Sequence, residues 1–161
     1  MRFLIVAVGH RMPVWVDAGF AEYAGRMPRE MRMELIVLKP APRAGGARRA
    51  IDAEGERILA GVPAGCSRIA LDERGTAFTT MELARRLARW RQSGRDIAFL
   101  IGGADGLAES VKKCSDAVWS LSPLTLPHGL ARVVLAEQLY RAASILHNHP
   151  YHRERRANSE Q

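Results

Sequence analysis

The chain has 161 residues, 47% of them hydrophobic and 25% charged, a composition that fits a globular protein of one-domain size and excludes a disordered or fibrous chain. No run of about twenty apolar residues offers a bilayer span. Twenty-four basic against seventeen acidic residues give a net charge of +7, which favours a polyanionic partner bound through phosphate contacts; the plainer reading is a compositional bias, because all the basic residues except Lys39, Lys112 and Lys113 are arginines.

MRFLIVAVG opens as a strand over residues 3 to 8. One charge and a short apolar run are followed directly by polar GHRMP without a small-residue cleavage pattern, so no leader is expected and the address is cytoplasmic. Pro13 suits the first turn of a helix running through Phe20 and Tyr23. MELIVL (33 to 38) is the second strand; PAPRAGG after it has the composition of a flexible loop, and Ile51, Ile58 and Leu59 line a second helix. RIAL (68 to 71) is the third strand, with LDERG (71 to 75) as the loop that follows. Thr79 and Glu82 form a capping box ahead of Leu83, Leu87 and Trp90, and Gly94 ends that helix. DIAFLI (96 to 101) and AVWSL (117 to 121) complete five strands, short and mostly unalternating, as strands covered on both faces are. Strands and helices in strict alternation imply an α/β fold with a mostly parallel sheet flanked by helices. Ligands bind such sheets outside the carboxyl ends of the strands.

Three loops stand at those ends: LDERG, IGGADG (101 to 106) and LSPLTLPHG (121 to 129). Gly102 and Gly103 let a ligand or another backbone approach closely, or simply form a turn. The spacing matches neither G-x-G-x-x-G nor a P-loop. Leu71, Leu124 and Leu126 with free main-chain amides suit a flat heterocycle read by backbone groups. So apolar a loop is expected to lie against something, and the helix from Gly129 to His147, apolar round most of its circumference, needs cover on several sides. Within it, Glu137 is expected to pair with Arg132 or Arg141.

Other features carry plainer expectations. Cys66 and Cys114, without a C-x-x-C pattern, make neither a zinc site nor a disulfide framework and read as small buried residues. Arg85, Arg86, Arg89 and Arg91 read as a solvated helix face, and His10 and His128 as turn or surface residues. His147, His149 and His152 lack a carboxylate at metal-site spacing, so no metal is expected. A basic RNA-binding protein without catalysis fits the charge but not the three strand-end loops. A small hydrolase is opposed by the lack of G-x-S-x-G after any strand.

AVGHRMPVWV, LDERG, FLIGGADG, LSPLTLPHGLARVVLAEQLYRA and NHPYHRE, in this order along residues 1 to about 154, resemble the ribosomal RNA large subunit methyltransferase H family of bacterial SPOUT enzymes. The resemblance implies a SPOUT-type α/β fold with a C-terminal trefoil knot, which general rules of chain connection would not have suggested. It implies a single methyltransferase domain over residues 1–154, with 155–161 an added tail of the kind usually disordered. The implied cofactor is S-adenosyl-L-methionine, wrapped by Ser122, Pro123, Leu124, Thr125, Leu126 and Pro127, with Leu71 and Gly103 completing the adenosine pocket. The implied reaction is methylation of N3 of a pseudouridine in 23S ribosomal RNA on the assembled ribosome, by a homodimer without metal or membrane. The methyl donor is already reactive, so positioning should dominate. Arg141, Tyr151 and His152 are the catalytic candidates, His152 ranking first as base, and Tyr151, His152 and Arg153 are expected to contact RNA. Pro150 stops helical continuation, so the tail could close over a base, in its own subunit or in a partner's.

Overall fold

Strand β1 (Arg2–Val8) carries six consecutive residues, Phe3 to Val8, with almost no exposure. Only a central strand covered on both faces can hold such a run. The computed structural model describes residues 1–151. In it β1 lies between β2 (Arg32–Leu38) and β4 (Ile97–Ile101), and the sheet continues through β3 (Ser67–Ala77) to β5 (Ala117–Ser120) in the order β2-β1-β4-β3-β5. Every neighbouring pair is parallel, so each connection crosses a face and each face acquires helices.

One face is covered by α1 (Val14–Arg26), α3 (Thr80–Ser93) and α5 (His128–Leu146), whose Phe20, Leu83, Leu87, Leu135 and Leu139 share a core with Phe3, Ile5 and Phe99. The other carries α2 (Ala47–Gly61) and the short α4 (Glu109–Lys113), which bury Ile58 and Val111 against Leu4, Val6 and Leu100. Helix α3 starts and stops where its sequence dictates. The Thr79 hydroxyl accepts from the Glu82 amide, the Glu82 carboxylate accepts from the Thr79 amide, and Gly94 ends the helix at φ 69°.

Two expectations are corrected. LDERG is not a loop after β3 but a bulge within it: Leu71 and Thr76 both pair with Trp119, and the residues between them are thrown out of the ladder. Gly75 permits this, because a Cβ there would sit 2.6 Å from the Trp119 carbonyl carbon. Cys114 is exposed at the end of α4 and Cys66 only half-buried. The arginines of α3 form the exposed face that was expected, and Arg85, Arg86 and Arg89 also line a groove of about 330 Å³ beside Trp119, with the Arg86 guanidinium 5.1 Å from the indole centre. Helix α5 packs against both α1 and α3, yet Leu130, Val133, Val134 and Ile145 remain half-buried. Among the described residues no helix is long and apolar enough to cross a membrane.

Candidate active-site cleft

The β3 bulge, the turn after β4, the segment after β5 and the first turn of α5 converge at the carboxyl ends of the strands. Between them lies a cleft of about 790 Å³. Leu71, Gly103, Ser122, Leu124, Thr125, Leu126 and Pro127 all line it, whereas Pro123 does not.

Each wall has a local cause. A Cβ on Gly102 would meet the Gly106 carbonyl group at 2.4 Å, and Gly106 has φ +86°, so these two glycines close the turn that a Gly103–Gly106 bridge completes. Gly103 itself faces the cleft; a side chain there would start 3.2 Å from Val8 and from the Glu54 carboxylate. In the last loop Ser120 Oγ donates to the Ser122 carbonyl at 2.8 Å, and the Ser122 hydroxyl accepts from the Leu124 amide at 3.0 Å. Thr125 Oγ1 reaches across the mouth to donate to Glu73 Oε2 at 2.6 Å. The loop is nevertheless not buried as expected. Leu124 is 72% exposed, because nothing else in the described chain reaches over the apex.

The cleft mixes charges. Asp72 meets Lys112 at 2.9 Å; burial pushes the Asp72 carboxyl up, but the Lys112 ammonium and the Arg74 amide outweigh it and hold the group below the usual carboxylate range. Asp105 pairs with Arg43 at 2.6 Å. Beneath Gly103, Glu54 is 3% exposed and accepts from the Ala41 amide at 3.1 Å, which ties the loop after β2 to the cleft floor. His128 lines the cleft half-buried rather than lying on the surface. One turn on, Arg132 is 1% exposed and donates through Nη2 to the carbonyls of Val8 (3.1 Å) and Gly9 (2.6 Å).

The far end of α5 holds a separate cluster. Glu137 pairs with Arg141, at 2.8 Å to Nε and 2.6 Å to Nη2, and not with Arg132, whose guanidinium is taken up by β1. Tyr151 donates to the same Glu137 oxygen at 3.1 Å, packs against Tyr140 with ring centres 4.6 Å apart and planes tilted by 55°, and lies under the Arg141 guanidinium at 4.8 Å. Burial, a hydrogen bond with Tyr23 and the Glu137 charge push the Tyr151 phenol well above its ordinary value. Arg141 and Tyr151 are thus brought together but not to the cleft, which neither lines. Arg141 is more than three turns beyond His128 on one helix, about 20 Å at the α-helical rise. His152 and Arg153 lie outside the described residues.

The residue patterns missed Lys112, Glu54 and Arg132 as parts of this region, and gave Asp72 and His128, which lie within two of the three loops, no role in it. Only His128 carried a signal, its place directly after the apolar loop. Among the described residues no three His, Cys, Asp or Glu side chains gather as metal ligands.

Comparison with known proteins bears on the whole chain. A family model described as "Predicted SPOUT methyltransferase" matches residues 1–152. The ribosomal RNA large subunit methyltransferase H of Ralstonia pickettii is 57% identical over 155 residues, covering 95% of this chain and 99% of its own length. Proteins of the same name from Burkholderia multivorans and Nitrosospira multiformis are 55% and 53% identical, each over 95% of this chain and 99% of their own. A solved structure of "a probable methylase family protein" from Haemophilus influenzae Rd KW20 shares the fold with a TM-score of 0.53 at 14% identity, covering 93% of this chain and 69% of that one.

Proposed function

Because the chain belongs to the SPOUT methyltransferase family, we propose that it transfers a methyl group from S-adenosyl-L-methionine to N3 of a pseudouridine in 23S ribosomal RNA, on the assembled ribosome. The observation that carries the reading is the convergence of Leu71, Gly103 and the segment Ser122 to Pro127 on one cleft of about 790 Å³. That is the size of a small-molecule site. Its apolar walls and main-chain groups suit an adenine ring, and its substrate is RNA by analogy with the relatives' printed name. The net charge of +7 and the Arg85, Arg86 and Arg89 groove over Trp119 support a polyanionic partner. The reading includes a single domain over residues 1–154, a trefoil knot at the carboxyl end, and a cytoplasmic site of action among ribosomes.

The cofactor supplies an activated methyl group when bound. What remains for the protein is alignment of the acceptor nitrogen and removal of its proton. An imide titrating about two units above ambient pH costs about 2.7 kcal/mol to ionise, which a base or a nearby guanidinium can offset.

A homodimer is part of the proposal. Val14 and Trp15 on α1 are 84% and 57% exposed, and Leu130 and Val134 of α5 stay half-buried. The separation of about 20 Å along α5 also leads us to place the tail in trans. Arg141, Tyr151, His152 and Arg153 of one subunit would then meet the RNA base at the cleft of the other. Mapping methylated nucleotides in 23S ribosomal RNA from a strain lacking the protein tests the function: one N3-methylpseudouridine is expected to disappear, and an unchanged map would overturn the reading. Calorimetry in chelator should show cofactor binding without divalent metal.

A further inference from the structure

His128 stands where the apolar loop becomes a helix, so its ring is set by both. It lines the cleft, and Nε2 lies 3.2 Å from the point where a Cβ on Gly9 would be. Gly9 has no such atom and holds φ +118°, a conformation that suits glycine. The Met12 methyl, at 2.6 Å, and Arg132 Nη2, at 3.2 Å, approach the same point, so the missing side chain lets Met12, Arg132 and His128 close together over the residue after β1. Among the described residues no hydrogen bond ties either ring nitrogen.

The Arg132 guanidinium is one turn along α5, anchored to the Val8 and Gly9 carbonyls, and its buried Nε has no partner among the described residues. A buried cation without a carboxylate is costly. It fastens the end of β1 to the first turns of α5 and places positive charge beside the imidazole.

We propose that His128, in the subunit whose cleft holds the cofactor, is the group that takes the N3 proton of the acceptor nucleotide; this rests on the functional reading above. As the proton passes to the imidazole, the N3–H electron pair forms the bond to the methyl carbon, and the C–S pair returns to sulfur as a neutral thioether. The positive charge ends on the imidazolium, which releases its proton to water.

The surroundings keep the acceptor in working form. Burial first, then the Arg132 charge, hold the imidazole below its ordinary range against the opposing pull of Glu54 from α2. The positive end of the 19-residue helix α5 acts in the same sense as Arg132. The other charged groups of the cleft are largely occupied: Asp72 with Lys112, Asp105 with Arg43, and Glu73 with Thr125, with Arg74 beside them. His10, Arg11 and Asp17 are the titratable groups of the β1–α1 segment and α1 near this end. A neutral imidazole at pH 7 is a competent base. The tail groups then supply stacking and charge rather than proton removal.

The test compares His128→Asn and His128→Gln with His152→Asn. The His128 variants should lower kcat about 100-fold with cofactor Kd within about threefold, and their residual rate should climb with pH towards the ionisation of the imide. His152→Asn should keep the pH profile of the parent. In the free protein, NMR titration should place the His128 ring below about 6.5. A ring titrating at or above that value, His128 variants within about threefold of the parent kcat, or a parallel loss of cofactor affinity in both would overturn the assignment. A parent protein that binds cofactor but methylates no ribosomal RNA would instead overturn the functional reading. The ring titration judges the placement of His128 independently of that result.

Discussion

The two ends of α5 do different work. At the first turns a nearly enclosed Arg132 reaches into the end of β1 and His128 lines an open cleft, whereas at the last turns Glu137, Arg141, Tyr140 and Tyr151 satisfy one another in a compact cluster. A helix is a stiff rod, so groups about 20 Å apart on it cannot meet at one methyl group. On the proposed reading the near end binds the small molecule, and the far end serves a cleft only when another subunit carries it there. The symmetric pairing proposed above would do this without further sequence.

The largest effect should follow from filling the near end. Gly103→Leu is expected to abolish cofactor binding, a loss of more than about 1,000-fold or about 4 kcal/mol, with the circular dichroism of the folded protein retained; undiminished affinity in a folded variant would move the adenosine pocket elsewhere. Removing the far-end extension comes next. A chain ending at Pro150 should bind cofactor and dimerise as before yet lose about 100-fold in methyl transfer, the scale of a lost acid–base or charge contribution. Mixing it with full-length Gly103→Leu chains should restore one working site per heterodimer, because the intact pocket and the intact tail then lie on different chains. An inactive mixture of folded partners would refute the trans arrangement.

A smaller change probes the far cluster alone. Glu137 raises the Tyr151 phenol both by its charge and by accepting its proton, after the larger contribution of burial. Glu137→Gln should therefore bring the phenolate absorbance transition part of the way back towards about 10, while cofactor affinity at the near end stays the same. The smallest effect should come from a residue at neither end. Thr79→Ala removes half of the α3 capping box and should cost about 1 kcal/mol, lowering Tm by about 2–4 °C with the cleft and the Tyr151 titration unaltered.

Much of this protein could be read locally. The five apolar runs became strands, and Thr79, Glu82 and Gly94 bounded α3 as their side chains require. Polar LDERG looked like a turn because strand continuity depends on Trp119, far along the chain, against whose backbone Gly75 closes. Arg132 gave no hint of pairing with carbonyls more than a hundred residues earlier, and so Glu137 seemed a choice between two arginines.

The sequence by itself determined the alternation of strands and helices, the caps, the glycine turn after β4 and the loops that could hold a ligand. Those features depend on neighbours two to four residues away, and side-chain pattern and backbone preference decide them there. Only the tertiary structure decided the strand order, the bulge in β3, the gathering of that bulge and two distant loops into one cleft and the placing of Arg141 and Tyr151 away from it. Those outcomes depend on which burial of many apolar faces is jointly possible, a condition on the whole chain that no short stretch of it expresses.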